Sequence, residues 1–282
     1  MSCDNLQGNG QLLEKLMHEY VDLFYTDSGF YLQDWIRENC TFPNSVLDRI
    51  TARTSLEEIN ELKEVYGISD NWPVVAEKRS RWVIEDKFAT ERPEWELAGA
   101  IITKDTNPYM QCKLRLHNGC RQGYAYLSYV SGHRNIADAT KDPVFTEYIK
   151  RFLNEVDQTI PEVPELDLEN YKVELVERFG NEGLDDKLIR LCEDTSFKME
   201  ESILPTILHK FRFGAPAHSL EYTALGIAGW IRFLQGTDEK GHEIHINDPL
   251  AEDFIELAHT AYGNGNVKPF MAAAFGSRVA SS

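Results

Sequence analysis

Basic residues are in short supply in this 282-residue chain, where 29 lysines and arginines stand against 46 aspartates and glutamates for a formal charge of -17. Nucleic acid and anionic membrane are excluded as electrostatic partners, because both require clustered cations to neutralise phosphates. Long apolar runs are missing too. No stretch of 18 apolar residues occurs, and the opening residues Met1 to Asn5 have neither a basic n-region nor an apolar h-region. The sequence supports neither a membrane span nor a secretory signal, and a cytoplasmic protein is expected. Cysteine is sparse and odd in number: Cys3, Cys40, Cys112, Cys120 and Cys192 show no C-x-x-C spacing. That argues against a disulfide framework and a structural zinc site and leaves reduced thiols. A dinucleotide fingerprint is also lacking. Gly8 and Gly10 begin one, but Leu13 stands where the third glycine belongs, and the residues ahead of them are too few and too polar for a buried strand.

What is present reads as an ordinary globular chain. A hydrophobic content of 42% with 27% charged residues rules out bulk disorder, and the length suits one domain with a sizeable core. Leu12, Leu13, Leu16, Tyr20, Leu23 and Phe24 repeat with helical period, predicting a helix from Gln11 to about Thr26. Short strands are expected at Val46 to Thr51 and Arg81 to Glu85, with Ala98 to Thr103 open between strand and helix. Ser55 and Glu58 form a capping-box pattern for a helix ending near Gly67. Helical patterns then dominate: from Asn107-Pro108 onward, and over 143–156, 168–178, 185–212, 219–234 and 249–262. The fold class is mainly α with a few short β-strands.

The most informative stretch is Lys113-Leu-Arg-Leu-His117-Asn118-Gly-Cys-Arg121. On an α-helix, Lys113, His117 and Arg121 fall four apart on one stripe, while Asn118 and Arg121 share a second. A titratable amine beside a carboxamide and cations can do proton chemistry. A solvated basic face has the same pattern.

Lys113 followed by Asn118 in a KLRLxNG context resembles the catalytic helix of the long-chain mannitol dehydrogenase family, the metal-independent polyol and uronate dehydrogenases. Further blocks fall in the same order: Ser2 to Gly10, Phe42 to Thr51, Trp82 to Phe88, Arg92 to Glu96, and Asp248-Pro249-Leu250. The resemblance implies a multihelical domain like the C-terminal half of 6-phosphogluconate dehydrogenase. It extends over the whole chain, 1–282, as the substrate-binding C-terminal domain, with the N-terminal Rossmann domain missing. It implies NAD or NADP as cofactor, a small polyol or sugar-acid substrate, and possible completion by a separate dinucleotide-binding chain.

The same resemblance assigns roles. Lys113 is the general acid/base, with Asn118 and Asn9 as carboxamides that steady the developing alkoxide. Arg190 and Lys198 match the segment holding the distal end of the substrate; eight apart on one helix, they would share a cleft. Asp48 either binds substrate hydroxyls or forms an ion pair with a neighbouring arginine. Three positions depart from the family pattern. Arg121 stands where a histidine is common, Met110 where an acid often assists proton exit, and Glu193 where a histidine is often found. A donors-only arginine at position 121 suits a carboxylate or phosphate better than a neutral polyol. Two functions remain open: the catalytic part of a polyol dehydrogenase, or a non-catalytic remnant kept as a binding or assembly module.

Overall fold

Short β segments and long amphipathic helices sort into different parts of the chain. In the computed structural model, which describes residues 1–25, 29–184 and 186–279, they form two compact units, where length alone suggested one domain. The first comprises Met1–Thr51 and Ala76–Gln111; the second comprises Ala52–Val75 and Cys112–Ser282.

The first unit contains helices α1 (Asn9–Phe24) and α2 (Gly29–Asn39), strands β1 (Ser45–Asp48), β2 (Arg81–Glu85) and β3 (Ile101–Thr103), and α4 (Asn107–Cys112) at its end. Its sheet runs β1-β2-β3, antiparallel between β1 and β2 and parallel between β2 and β3. Val46, Val83 and Ile84 bury its inner face. The strand predicted for Val46 to Thr51 stops at Asp48, because the chain beyond it pairs irregularly. There the Ile50 N–H donates to the Glu77 carboxylate at 2.6 Å and the Glu77 N–H returns to the Ile50 carbonyl at 3.0 Å. The undecided 98–103 stretch divides: Trp95–Ala98 is a 3₁₀ turn and Ile101–Thr103 a strand. Gly10 is demanded by close packing, since a Cβ there would lie 2.2 Å from the Phe42 carbonyl oxygen.

The second unit is almost entirely helical. It holds α3 (Leu56–Tyr66), a π-helical turn at Lys113–Asn118, α5 (Gly119–Val130), α6 (Ile136–Lys141), α7 (Pro143–Val156) and α8 (Leu168–Phe179). These are followed by α9 (Leu188–Leu191), α10 (Thr195–Ser202), α11 (Leu204–Arg212), α12 (Glu221–Phe233), α13 (Ala251–Asn264) and α14 (Lys268–Val279). The Ser55–Glu58 capping box forms as the sequence predicts, at 3.2 and 2.7 Å. Helices α5 and α12 cross where both lack side chains. A Cβ on Gly226 would sit 2.9 Å from the Gly123 Cα, and one on Gly229 would strike Leu127 at 2.6 Å. Around this crossing lie Trp230, Tyr124, Tyr126, Phe152 and Phe233, all fully buried.

The helix expected over 185–212 is instead three. The chain breaks at Asp194, whose φ of 49° ends α9's run, and restarts as α10 under a borrowed cap. Asp248 accepts from the Ser196 N–H at 2.7 Å, Ser196 Oγ at 2.8 Å and Thr195 Oγ1 at 2.9 Å, and from the Leu250 N–H at 2.8 Å. Trp230 Nε1 donates to Thr195 Oγ1 at 3.0 Å, tying α12 to the same junction. Pro205 then opens α11, where a missing N–H costs nothing. No helix among the described residues is long and apolar enough to cross a membrane.

Candidate active site

Sequence spacing alone placed Lys113, His117 and Arg121 on one helical stripe, and the structure redraws it. Lys113–Asn118 winds as a π-helix, in which residue i aligns with i+5 rather than i+4. On a regular α-helix, residues five apart would point about 140° away from each other. Here Lys113 and Asn118 come onto one side, and Arg121 follows a turn later. Burial agrees: over positions 112–126 only Lys113, Asn118 and Arg121 keep partial exposure, every other residue being buried. His117 is carried inward, 3% exposed, with its ring 5.4 Å from that of Phe179. Arg115 is buried as well and donates to the Thr159 carbonyl; burial holds its pKa below the usual arginine value. Glycines 119 and 123 let this helix approach its neighbours, with the Ser202 carbonyl 3.0 Å from where a Gly119 Cβ would stand.

Arg121, Arg190 and Lys198 come together in the second unit, organised by a carboxylate. Asp186, 5% exposed, accepts from Arg121 Nη2 at 2.7 Å, from Arg190 Nε at 2.7 Å and from Arg190 Nη2 at 2.5 Å. Lys198 donates its ammonium to the Arg190 carbonyl at 3.0 Å. It does so from α10, across the break at Asp194, and not from the same helix as Arg190. Burial lowers the Lys198 pKa; Asp194 opposes that shift and the Arg190 charge adds to it. Burial likewise lowers that of Arg121, with Asp186 partly offsetting it. Arg121 therefore spends its charge on Asp186, which corrects the expectation that it stands ready for an anionic substrate. Sequence reasoning passed over Asp186, although a carboxylate four residues before Arg190 is itself a pairing signal.

The first-unit residues behave differently. Asn9, 2% exposed, gives its amide to the Asp4 and Ser45 carbonyls, both at 2.9 Å, and accepts from the Ser45 N–H at 3.0 Å. Its carboxamide fastens the start of α1 to β1, a correction to the expected alkoxide contact, since both amide protons are already committed. Asp48 is buried and paired with Arg79 at 3.1 Å. The ion-pair alternative is the one realised, though not with the adjacent Arg49, which donates to the Glu77 carbonyl. Met110 is buried beside a pocket of about 440 Å³ lined also by Gln7, Asn44, Glu85 and Asn107. Glu193, in the second unit, lies 3.6 Å from Arg53.

Residues 105–274 match the model of the mannitol dehydrogenase C-terminal domain, and residues 1–97 that of the mannitol dehydrogenase Rossmann domain. The chain belongs to the mannitol dehydrogenase family. Part of the segment that resemblance alone gave to the C-terminal domain thus falls within the family's Rossmann model. Among relatives of this mannitol dehydrogenase family chain, mannitol dehydrogenase 2 of Saccharomyces cerevisiae is 37% identical over 252 residues, 89% of this chain and 49% of the relative. Mannitol 2-dehydrogenase of Aspergillus fumigatus is 34% identical, covering 94% of this chain and 52% of that protein. Among solved structures, Pseudomonas fluorescens mannitol 2-dehydrogenase in ternary complex with NAD and D-mannitol superposes with a TM-score of 0.80 at 38% identity, over 92% of this chain and 51% of that one. A substrate-free D-sorbitol dehydrogenase gives 0.82 at 32% identity, over 92% and 52%. The chain spans about half the length of the relatives it matches. Among the described residues no group of three or more His, Cys, Asp or Glu could hold a metal ion. The five cysteines are free thiols, Cys112, Cys120 and Cys192 being buried.

Proposed function

We propose that this chain supplies the substrate-binding and catalytic part of an NAD(P)-dependent oxidoreductase that interconverts a polyol or sugar acid and its ketose. The observation that carries the reading is the π-helical turn, which sets Lys113 and Asn118 on one partly open side of an otherwise buried helix. The neutral Lys113 amine takes the substrate hydroxyl proton during oxidation and returns it as an ammonium during reduction. Asn118 donates an amide N–H to the oxygen as it becomes an alkoxide, without competing for that proton. The carbinol hydrogen leaves as hydride for the nicotinamide ring, the one contribution the cofactor makes.

The described residues do not fit a dinucleotide phosphate on their own. Gly8 caps α1 with a left-handed φ of 67°, but the Gly10 N–H donates to Asn44 Oδ1 at 2.9 Å and the space a Cβ would take is filled by the 42–44 backbone. A further dinucleotide-binding segment or chain therefore completes the enzyme in this reading. A non-catalytic remnant is the second reading, favoured by the commitment of Asn9 to backbone carbonyls. Assay of D-mannitol oxidation with NAD and NADP decides between them, using the chain as it stands and with a family dinucleotide-binding domain fused ahead of Ser2. Turnover that disappears in Lys113→Ala supports the enzyme; no turnover in either form sinks it.

A further inference from the structure

The distal cluster contains an arginine pair whose natural ligand is already in place. Two guanidiniums converging on one point make a ready seat for a substrate carboxylate, because each fork matches a carboxylate in geometry and charge. Here the seat is taken from within. Asp186 meets Arg121 at 2.7 Å and Arg190 at 2.7 and 2.5 Å, and is 5% exposed against 12% and 33% for the arginine side chains. Its backbone is held as firmly: the Ile136 N–H donates to the Asp186 carbonyl at 3.0 Å, and Leu188 N–H to the Arg134 carbonyl at 2.9 Å. These bonds pin residues 186–188 alongside 134–136, ahead of α6. The carboxylate is not on a loose loop that could swing aside for a competitor.

We propose that Asp186 is a specificity-determining residue, an internal carboxylate that fills the Arg121–Arg190 pair and so makes the site select neutral polyols over sugar acids. The inference rests on the dehydrogenase reading above and names its substrate class. A sugar acid would have to displace a tethered carboxylate, or be buried beside it with like charges opposed. A neutral polyol meets no such penalty. Each guanidinium carries five N–H donors; Asp186 takes one from Arg121 and two from Arg190. Hydroxyl oxygens can accept from donors that remain, and from the Lys198 ammonium that the Arg190 carbonyl holds at the edge of the cluster. Asp186 acts through the arginines it positions.

The test measures binding of D-mannitol and of D-gluconate to the 282-residue chain, by ligand-observed NMR, for the parent, Asp186→Asn and Asp186→Glu. The ratio of two affinities within one protein is insensitive to the fraction of it that is folded. The parent is expected to prefer mannitol. In Asp186→Asn the gluconate-to-mannitol affinity ratio should rise on the order of tenfold or more, as the charge-assisted bonds pass to the ligand, and Asp186→Glu should restore the parent's preference. A parent that prefers gluconate, or a ratio unmoved in Asp186→Asn, overturns this inference and leaves the dehydrogenase reading standing. Binding of neither ligand by any of the three proteins overturns the substrate site itself, and this inference with it.

Discussion

Replacing Asp248 by alanine should unfasten α10, the helix that carries Lys198, from a loop more than 50 residues further along the chain. Four hydrogen bonds end on this carboxylate, three from the first turn of α10 and one from Leu250. An ordinary helix N-cap contributes about 0.5–2 kcal/mol, and a bond to a charged acceptor about 1.5–3 kcal/mol. Water replaces part of what is lost, because Asp248 is only half-buried. Thr195 Oγ1, inside the junction, keeps its bond from Trp230 but loses its acceptor. A destabilisation of about 3 kcal/mol follows, equivalent to a fall of roughly 6–12 °C in Tm for a chain of this size.

The pH dependence supplies a sharper check. Burial works against ionisation of Asp248, but the hydrogen bonds from Ser196, Leu250 and Thr195 together outweigh it and hold the carboxyl below its ordinary value. A folded pKa below the unfolded one stabilises the protein fully above the carboxylate range, and that contribution is lost as pH falls through the folded value. The gap between parent and Asp248→Ala should therefore be widest at neutral pH and close on acidification. Urea melts of both proteins across this range measure it. A loss under about 0.5 kcal/mol at neutral pH, the scale of an ordinary surface substitution, would refute the reasoning, as would a gap that does not change with pH.

In the completed enzyme, Lys113→Ala should lower kcat by about 100-fold or more while substrate affinity is retained, read by steady-state kinetics beside ligand-observed NMR. Gly226→Ala should cost about 1–3 kcal/mol, because its Cβ would press on the Gly123 Cα and the Tyr148 hydroxyl, both at 2.9 Å; unfolding at parental urea concentration would contradict the close crossing. Gly10→Ala, facing backbone at 2.2 Å, should destabilise the first unit by at least as much, seen as accelerated proteolysis within residues 1–51 against the parent.

Local patterns were legible where they answer to local physics. The Ser55–Glu58 capping box, the Gly67 stop and the strand Arg81–Glu85 follow from neighbouring residues alone, and all three form as read. The mainly helical class and the family followed from periodicity and from ordered sequence blocks. What escaped depended on distant partners. Nothing near Asp194 announces that the helix must break there, because the cap that restarts it is supplied by Asp248. Asn9 offered a carboxamide of the right kind, but its commitment to Ser45 is a contact across 36 residues. The stripe of Lys113, His117 and Arg121 was misdrawn for a different reason: a period of 3.6 was assumed where the helix locally runs wider.

That wider turn is also a constraint on length. A π-helical segment holds one residue more than regular winding needs, so a single deletion between Lys113 and Asn118 would let the helix close up into ordinary α geometry. Everything downstream would then turn by about 100° relative to everything upstream. Gly123 would leave its place against Gly226, and Arg121 would rotate off Asp186. A substitution at one of these positions is a local event, whereas the loss of one residue would re-aim the whole of α5. Insertions and deletions should accordingly be far less tolerated within 113–118 than on the loop at 161–167, where the chain joins α7 to α8 through residues that set no helix phase.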